Sequence, residues 1–253
     1  MIFRAQELAK LMPDTSKLES DEPEMESSLH YSQLALLVAC LEWKWRGRND
    51  FFVGASLTVY YSQQQLRNRD FRGPDFFLIK NTEKRPRYSW VVWEEDGRYP
   101  DLIIELLSDS TAKVDRNEKK VLYQNRFRTP EYFWFDPQDL EFSGFRLIGQ
   151  EYQAIVANEF GRLWSEVLEL YLGIHDGKLR YFTPDGELVS TPEEAALQAQ
   201  QQATQAQEQA TQAQEQAAQA QEQTAQAQEQ LAQAQERAER LANQLRALGI
   251  EPE

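Results

Sequence analysis

The chain has 253 residues, of which 41% are hydrophobic and 11% aromatic, so it can bury a sizeable core and fits one domain with an appendage. No apolar run approaches the roughly 20 residues of a membrane span, and residues 1–20 lack the apolar segment of a secretory signal. A single cysteine, Cys40, excludes a disulfide framework, and two histidines exclude a His-rich zinc site. We therefore expect a soluble protein of the cytoplasm.

The net charge is −14, from 41 acidic and 27 basic residues, and this sign opposes passive binding to nucleic acid. Residues 190–253 hold ten acidic residues and three arginines, which leaves 31 acidic and 24 basic residues in the rest of the chain. A phosphate-binding surface on the folded part would need clustered basic residues, or metal ions that offset the repulsion.

The predicted elements alternate between helix and strand after an acidic extension, residues 1–25, in which only residues 4–11 show helical spacing. An apolar helix closed by Arg46-Gly47-Arg48 comes first, and short apolar runs separated by turn residues such as His175-Asp176-Gly177-Lys178 predict hairpins towards residue 189. The pattern indicates a mixed α/β domain with a β-rich trailing part. The predicted elements are a helix over 27–45, strands over 51–61, 75–80, 90–94 and 102–107, a helix over 114–127 and a strand over 131–135.

A seven-residue repeat begins at Ala203 and places alanine, and later leucine, at almost every a and d position. Thr191-Pro192 is typical of a helix start, and a helix over 192–248 would be roughly 85 Å long at 1.5 Å per residue. The period favours a left-handed coiled coil, hence a homo-oligomer and most simply a dimer. Because alanine buries little area, a single fraying polar helix is the alternative.

Glu105 is the first candidate for chemistry, because it interrupts the apolar run Leu102–Leu107. Strand alternation places Asp101, Ile103, Glu105 and Leu107 on one face. Burying an unpaired carboxylate costs several kcal/mol, so Glu105 needs a metal ion, an ion pair with a buried base, or exposure at an edge.

Asp75 opens the strand that follows Gly73-Pro74 and is the second candidate. If its strand neighbours that of Glu105, the two carboxylates can converge on one divalent cation. Oxygen ligands without histidine suit Mg²⁺ or Mn²⁺. Alone, Asp75 would be interpreted as a turn-capping aspartate.

The predicted helix 114–127 carries Asp115, Lys119 and Tyr123 at intervals of four, on one face. Asp115 and Lys119 could simply form a stabilising surface pair. The same face could instead offer Lys119 to the site as a fixed cation for a phosphate or a developing oxyanion.

Together these residues form a pattern that resembles the Uma family of putative restriction endonucleases, in the PD-(D/E)xK nuclease superfamily. The resemblance spans roughly residues 25–190 and is most specific over residues 100–137. The matching segments are Gly73-Pro74-Asp75, residues 100–108 (PDLIIELLS), Ser110-Thr111, Asp115, Lys119, Tyr123 and residues 130–137 (PEYFWFDP).

The resemblance implies a restriction-endonuclease-like core over residues 26–190 in which Asp75, Glu105 and the Leu106 backbone carbonyl bind Mg²⁺. The superfamily lysine should stand two residues after Glu105, but Leu107 occupies that position, and Lys119 on the next helix falls in register instead. Accessory candidates are Asp101, Asp115, Tyr123 and, at the start of the first helix, Glu26, for which an ordinary helix N-terminal acid is the alternative. His30 is interpreted as a structural histidine.

The leading hypothesis is therefore a metal-dependent endonuclease that acts on nucleic acid, with DNA as the expected substrate. Its alternative is an inactive nuclease-fold scaffold, or a partner-binding protein, that works through the helix of residues 191–253. The loops offer seven arginines for phosphate contacts, or as plain surface charge: Arg46, Arg48, Arg67, Arg69, Arg72, Arg85 and Arg87.

Overall fold

The computed structural model describes residues 27–62, 65, 73–108 and 114–247, apart from the side chain of residue 245. The N-terminal extension, the helical spacing at 4–11 and Glu26 lie outside these residues, as do Arg67, Arg69 and Arg72.

Three helical segments and eleven strands make up the described chain. Helix α1 is Ser28–Lys44, α2 runs from Asp115 to Phe127 and α3 is Pro192–Ala247. The strands are β1 Phe51–Ala55, β2 Val59–Tyr60, β3 Phe76–Lys80, β4 Trp90–Val91, β5 Leu102–Leu106, β6 Glu131–Phe135, β7 Phe142–Ile148, β8 Glu151–Ala154, β9 Leu163–Ser165, β10 Leu170–His175 and β11 Lys178–Phe182.

The central sheet is mixed, with strand order β1-β3-β5-β6-β7-β8. Its one parallel pair, β5 with β6, is joined through α2, as parallel neighbours require a crossover. The other neighbours are antiparallel. A three-stranded sheet, β11-β10-β9, and a two-stranded parallel pair, β2-β4, complete the β structure.

Both faces of the central sheet are covered, which explains why β5 and β6 are apolar throughout. Leu102, Ile104 and Leu106 pack with α1 and with β10 and β11 in one buried cluster. Ile103 and Leu107 pack on the opposite side with Tyr123 and other residues of α2. The predicted alternation along β5 is therefore confirmed, and the face that carries Glu105 is the one covered by α2.

Two predicted strands are shorter than expected. The run 51–61 divides into β1 and β2 because Ser56 adopts a left-handed conformation, with φ of 47°, and turns the chain. The run 90–94 keeps only Trp90–Val91 in a strand, because its partner β2 has just two residues, and a turn follows.

Helix α2 is mostly π-helical, which the sequence did not predict. Residues Asp115–Lys119 and Tyr123–Phe127 are π-helical and flank three α-helical residues, Lys120–Leu122. A π-helix rotates less per residue than an α-helix. Two residues four positions apart therefore fall short of a full turn in a π-helix and pass a full turn in an α-helix. The alternation therefore keeps Asp115, Lys119 and Tyr123 close to one line.

Helix α3 belongs to a second unit, and the chain divides into two compact parts at Pro192 and Glu193. The helix begins at Pro192 as predicted and continues for 56 residues. Its alanine and leucine positions are exposed, for example Leu231 at 60% and Leu241 at 59%. Among the described residues, no helix is long and apolar enough to cross a membrane.

Candidate active site

Asp75 and Glu105 meet at one end of two central strands, because β3 and β5 are antiparallel neighbours. Phe76 lies opposite Ile104, so the next pair in the same register is Asp75 with Glu105. The Asp75 backbone N–H donates to Glu105 Oε2 at 3.2 Å, and the Leu106 N–H donates to Asp75 Oδ2 at 2.7 Å. Asp75 therefore accepts a hydrogen bond from the neighbouring strand rather than from its own turn.

Glu105 has no exposed surface and is held by two side chains of α2. The Tyr123 hydroxyl donates to Oε1 at 2.6 Å, and Lys119 Nζ donates to Oε2 at 3.1 Å. Burial raises the pKa of Glu105 well above its ordinary value, against the lowering by Lys119, and the charges of Asp75 and Asp115 raise it further. The ion pair that the sequence offered as an alternative to metal binding is therefore present, between Glu105 and Lys119, with Asp75 and Asp115 close by.

Asp115 and Lys119 form a buried pair, so their interpretation as a surface pair was wrong. Lys119 Nζ lies 2.9 Å from Asp115 Oδ1, and the two side chains are 13% and 1% exposed. This contact is ionic, since Asp115 Oδ1 has no well-aligned hydrogen bond. Although burial lowers the pKa of Lys119, Glu105, Asp115 and Asp75 together raise it above its ordinary value. The charged ammonium therefore bridges α2 and β5.

His30 ties the first helix to the strand that carries Glu105. Its Nε2 lies 3.0 Å from the carbonyl oxygens of both Leu106 and Leu107, which can only accept, so Nε2 carries the proton. The other ring nitrogen, Nδ1, lies 3.0 Å from the Ser27 hydroxyl. His30 is structural, as expected, but its partners flank the candidate site. No local signal shows this, because the bonds span 76 and 77 residues.

The remaining candidates lie elsewhere or are already engaged. Asp101 sits at the opposite end of β5, where its Oδ2 accepts from the Lys80 backbone N–H at 2.7 Å, and it does not join the cluster. The Leu106 carbonyl is the His30 acceptor described above. Glu26 lies outside the described residues.

Among the arginines predicted to contact phosphate, the four that the structure describes are engaged by the protein itself. Arg48 pairs with Asp50, whereas Arg85 and Arg87 both pair with Glu95. Arg46 stacks over the Trp43 ring. These four arginines are therefore poorly suited to phosphate contact without rearrangement.

The donor set suits a hard divalent cation. Glu105 and Asp115 both contact the Lys119 ammonium, and Asp75 lies beside Glu105, so three carboxylates stand near one cation and a metal ion would offset the excess negative charge. Among the described residues there is no group of three or more His, Cys, Asp or Glu side chains arranged to hold a metal. Mg²⁺ commonly uses one or two carboxylates and completes its shell with water or phosphate, which Asp75 and Glu105 can satisfy.

The protein is therefore an α/β protein with a carboxylate–lysine cluster at the end of two central strands of its sheet. A sequence profile of the Uma2 family, described as "Putative restriction endonuclease", matches residues 17–176, and the chain belongs to this family. A comparison with curated protein sequences found no match.

One solved structure similar to this chain is a putative nuclease of DUF820 from Anabaena variabilis ATCC 29413. The two are 15% identical, with a TM-score of 0.45 over 70% of this chain and 97% of that chain.

Proposed function

We propose that this protein is a metal-dependent endonuclease whose site is formed by Asp75, Glu105 and Lys119. The observation that carries the proposal is the convergence of two carboxylates from neighbouring strands beside a buried lysine from the crossover helix. Membership of a family described as putative restriction endonucleases supports the same activity.

Each residue has a role that follows from its position. Asp75 and Glu105 would hold Mg²⁺ or Mn²⁺, with oxygen ligands that these ions prefer. When bound, the ion would lower the pKa of a water ligand and neutralise charge on the scissile phosphate. Lys119 provides a fixed positive charge next to Glu105 for the attacking water or the charge that develops on the phosphate.

The surrounding residues keep this arrangement rigid. Tyr123 fixes the second oxygen of Glu105, and Asp115 holds Lys119 from the other side. Such supporting contacts commonly change metal affinity or activity by 10–100-fold when they are removed. We therefore assign Asp115 and Tyr123 positioning roles.

The test is cleavage of plasmid and single-stranded DNA with Mg²⁺ or Mn²⁺, using wild type and Glu105→Gln. We expect cleavage that needs the metal and falls by more than about 100-fold in the variant, because a direct ligand matters more than its supporting contacts. Calorimetry with the metal alone should show that Glu105→Gln also weakens binding.

The matched control is Glu131→Gln. Glu131 is a carboxylate as buried as Glu105, at 1% exposed, but it pairs with Arg146 at the far end of β6. It should lose stability and keep metal binding, measured at a temperature at which it remains folded. If the wild type neither binds metal nor cleaves, the endonuclease proposal fails and the scaffold alternative stands.

A further inference from the structure

A cavity lies at the opposite end of the central strands from the carboxylate cluster. It has a volume of about 410 Å³ and is formed by the end of β3, the chain before β5 and the turn after α2. Glu105 lies four residues along β5 from Asp101 in the cavity wall, ~13 Å away at about 3.3 Å per residue. The cavity is therefore separate from the candidate active site.

The cavity wall is cationic although the domain as a whole is acidic. Lys80, Arg98 and Arg128 line it, against the single carboxylate of Asp101. In the described part of the chain these three cations form no ion pair within salt-bridge distance. Arg87, by contrast, lies over the Phe52 ring and is paired with Glu95.

Backbone carbonyls hold the three cations in place without neutralising them. Lys80 Nζ donates to the Val167 carbonyl at 2.9 Å. Arg98 donates through Nη1 to the carbonyls of Lys80 and Asn81, and Arg128 donates to that of Gly149. Arg98 Nε and Nη2 and Arg128 Nε have no partner among the described residues, so each guanidinium keeps donors for a ligand.

The rest of the wall suits a flat or apolar group. Tyr99 is half-buried and offers an aromatic ring at the cavity, 5.0 Å from the buried ring of Phe127. Guanidinium groups match phosphate oxygens in geometry and charge, and aromatic rings stack with nucleobases. The volume falls in the range of small-molecule sites, about 300–1,000 Å³.

We propose that this cavity binds one nucleotide, whose phosphate contacts Arg98 and Arg128 while its base lies against Tyr99. The nucleotide is either free or part of a nucleic-acid chain, since both present the same phosphate and base. The proposal is independent of metal binding at Asp75 and Glu105.

The test is calorimetric titration of full-length protein in EDTA with deoxyadenosine monophosphate, inorganic phosphate, deoxyadenosine or tetrathymidylate. We expect the monophosphate to bind, phosphate to bind more weakly and the nucleoside not to bind. Arg98→Gln and Arg128→Gln should each lower affinity about tenfold, as loss of a charge-assisted hydrogen bond does. Arg126→Gln is the matched control, because Arg126 is an exposed arginine two residues before Arg128 that does not line the cavity.

The outcomes separate the two sources. Binding of the monophosphate supports a free nucleotide, whereas binding of tetrathymidylate alone, weakened by the same variants, supports a nucleic-acid chain. If a glutamine variant does not fold, the methionine variant replaces it, since methionine keeps an aliphatic stem. The proposal is overturned if the wild type binds neither probe, or if the cavity variants bind as well as Arg126→Gln.

Discussion

Glu105 shows how a carboxylate can be kept in an apolar strand. Its two oxygens accept hydrogen bonds from Tyr123, Lys119 and the Asp75 backbone, so every donor that reaches it is supplied by a neighbouring element. The cost that remains is the proximity of Asp75 and Asp115, whose charges raise the pKa of Glu105 after burial has done so. Under the proposed function, a bound cation would offset this cost.

The stability of the metal-free protein should therefore fall with rising pH. The raised pKa of Glu105 means that the folded protein holds this proton more tightly than the unfolded chain does. Stability is then lost as pH rises from the unfolded pKa through the folded pKa. Urea unfolding in EDTA at pH 5.5 and pH 8 should show this loss for wild type and a smaller one for Glu105→Gln. Added Mg²⁺ should restore wild type at pH 8; an equal pH response of the two proteins would contradict the prediction.

Two buried tyrosines allow the bond to Glu105 to be measured. Tyr123→Phe removes a donor to a carboxylate, and Tyr132→Phe removes a donor to the backbone carbonyl of Asp115, 2.8 Å away. We expect about 1.5–3 kcal/mol of lost unfolding free energy for the first and about 0.5–1.5 kcal/mol for the second. Urea denaturation measures both, and the reverse order would show that the carboxylate is not the stronger acceptor.

Among the elements, α1 and β5 depend on each other through one side chain. His30 reaches from the first turn of α1 to the two carbonyls that follow Glu105, while Leu34, Leu37 and Leu41 pack the same helix against the sheet. The apolar contacts fix where the helix lies, and the histidine fixes the end of the strand. The geometry of the candidate site therefore includes a helix that contributes no ligand.

Replacing His30 by phenylalanine should loosen this strand end. The ring keeps its approximate shape, but the carbonyls of Leu106 and Leu107 lose their donor, at a cost of about 1–3 kcal/mol. The stabilisation by Mg²⁺ in thermal unfolding should also shrink. The chain's other histidine, His175, is 44% exposed and supplies the control, His175→Phe, with an expected change within about 0.5 kcal/mol. Equal effects of the two substitutions would rule out this role for His30.

At the scale of the whole molecule, the long helix α3 exposes its alanine and leucine positions to solvent. From Ala196 to Leu245 every a and d position is alanine, threonine or leucine, and glutamate falls mainly at f, away from the seam. Isolated helices of polar composition are marginal, so association with a second copy is the expected source of stability. The coiled coil therefore stays a prediction.

Matched leucines test the coiled coil. Leu231 and Leu241 lie at a and d, whereas Leu197 lies at b, and their exposures of 60%, 59% and 57% are nearly equal. Leu231→Asp and Leu241→Asp should weaken association in sedimentation velocity and lower the helical signal, because each buries a charge in the seam. Leu197→Asp should behave as wild type. If all three variants behave alike, or if the wild type is monomeric, the coiled-coil prediction fails and α3 is a single exposed helix.

Local pattern was enough for most elements and for the choice of Glu105. Periodicity identified α1, β5, β6 and α3, because hydrophobic spacing and breakers act between near neighbours in the chain. A carboxylate in an apolar run marked Glu105 for the same reason. The sequence did not predict the π-helical turns of α2 or the break at Ser56, because both are backbone conformations that residue spacing does not reveal.

Tertiary structure decided what those elements do together. The register of β3 against β5 brings Asp75 to Glu105, the fold buries the Lys119–Asp115 pair, and His30 finds carbonyls 76 residues away. Each of these contacts joins residues that are distant in sequence, and its burial and charge exist only once the sheet and both helices are packed. Composition shows that the protein is acidic. Only packing places carboxylates together at one end of the central strands and unpaired cations at the opposite end.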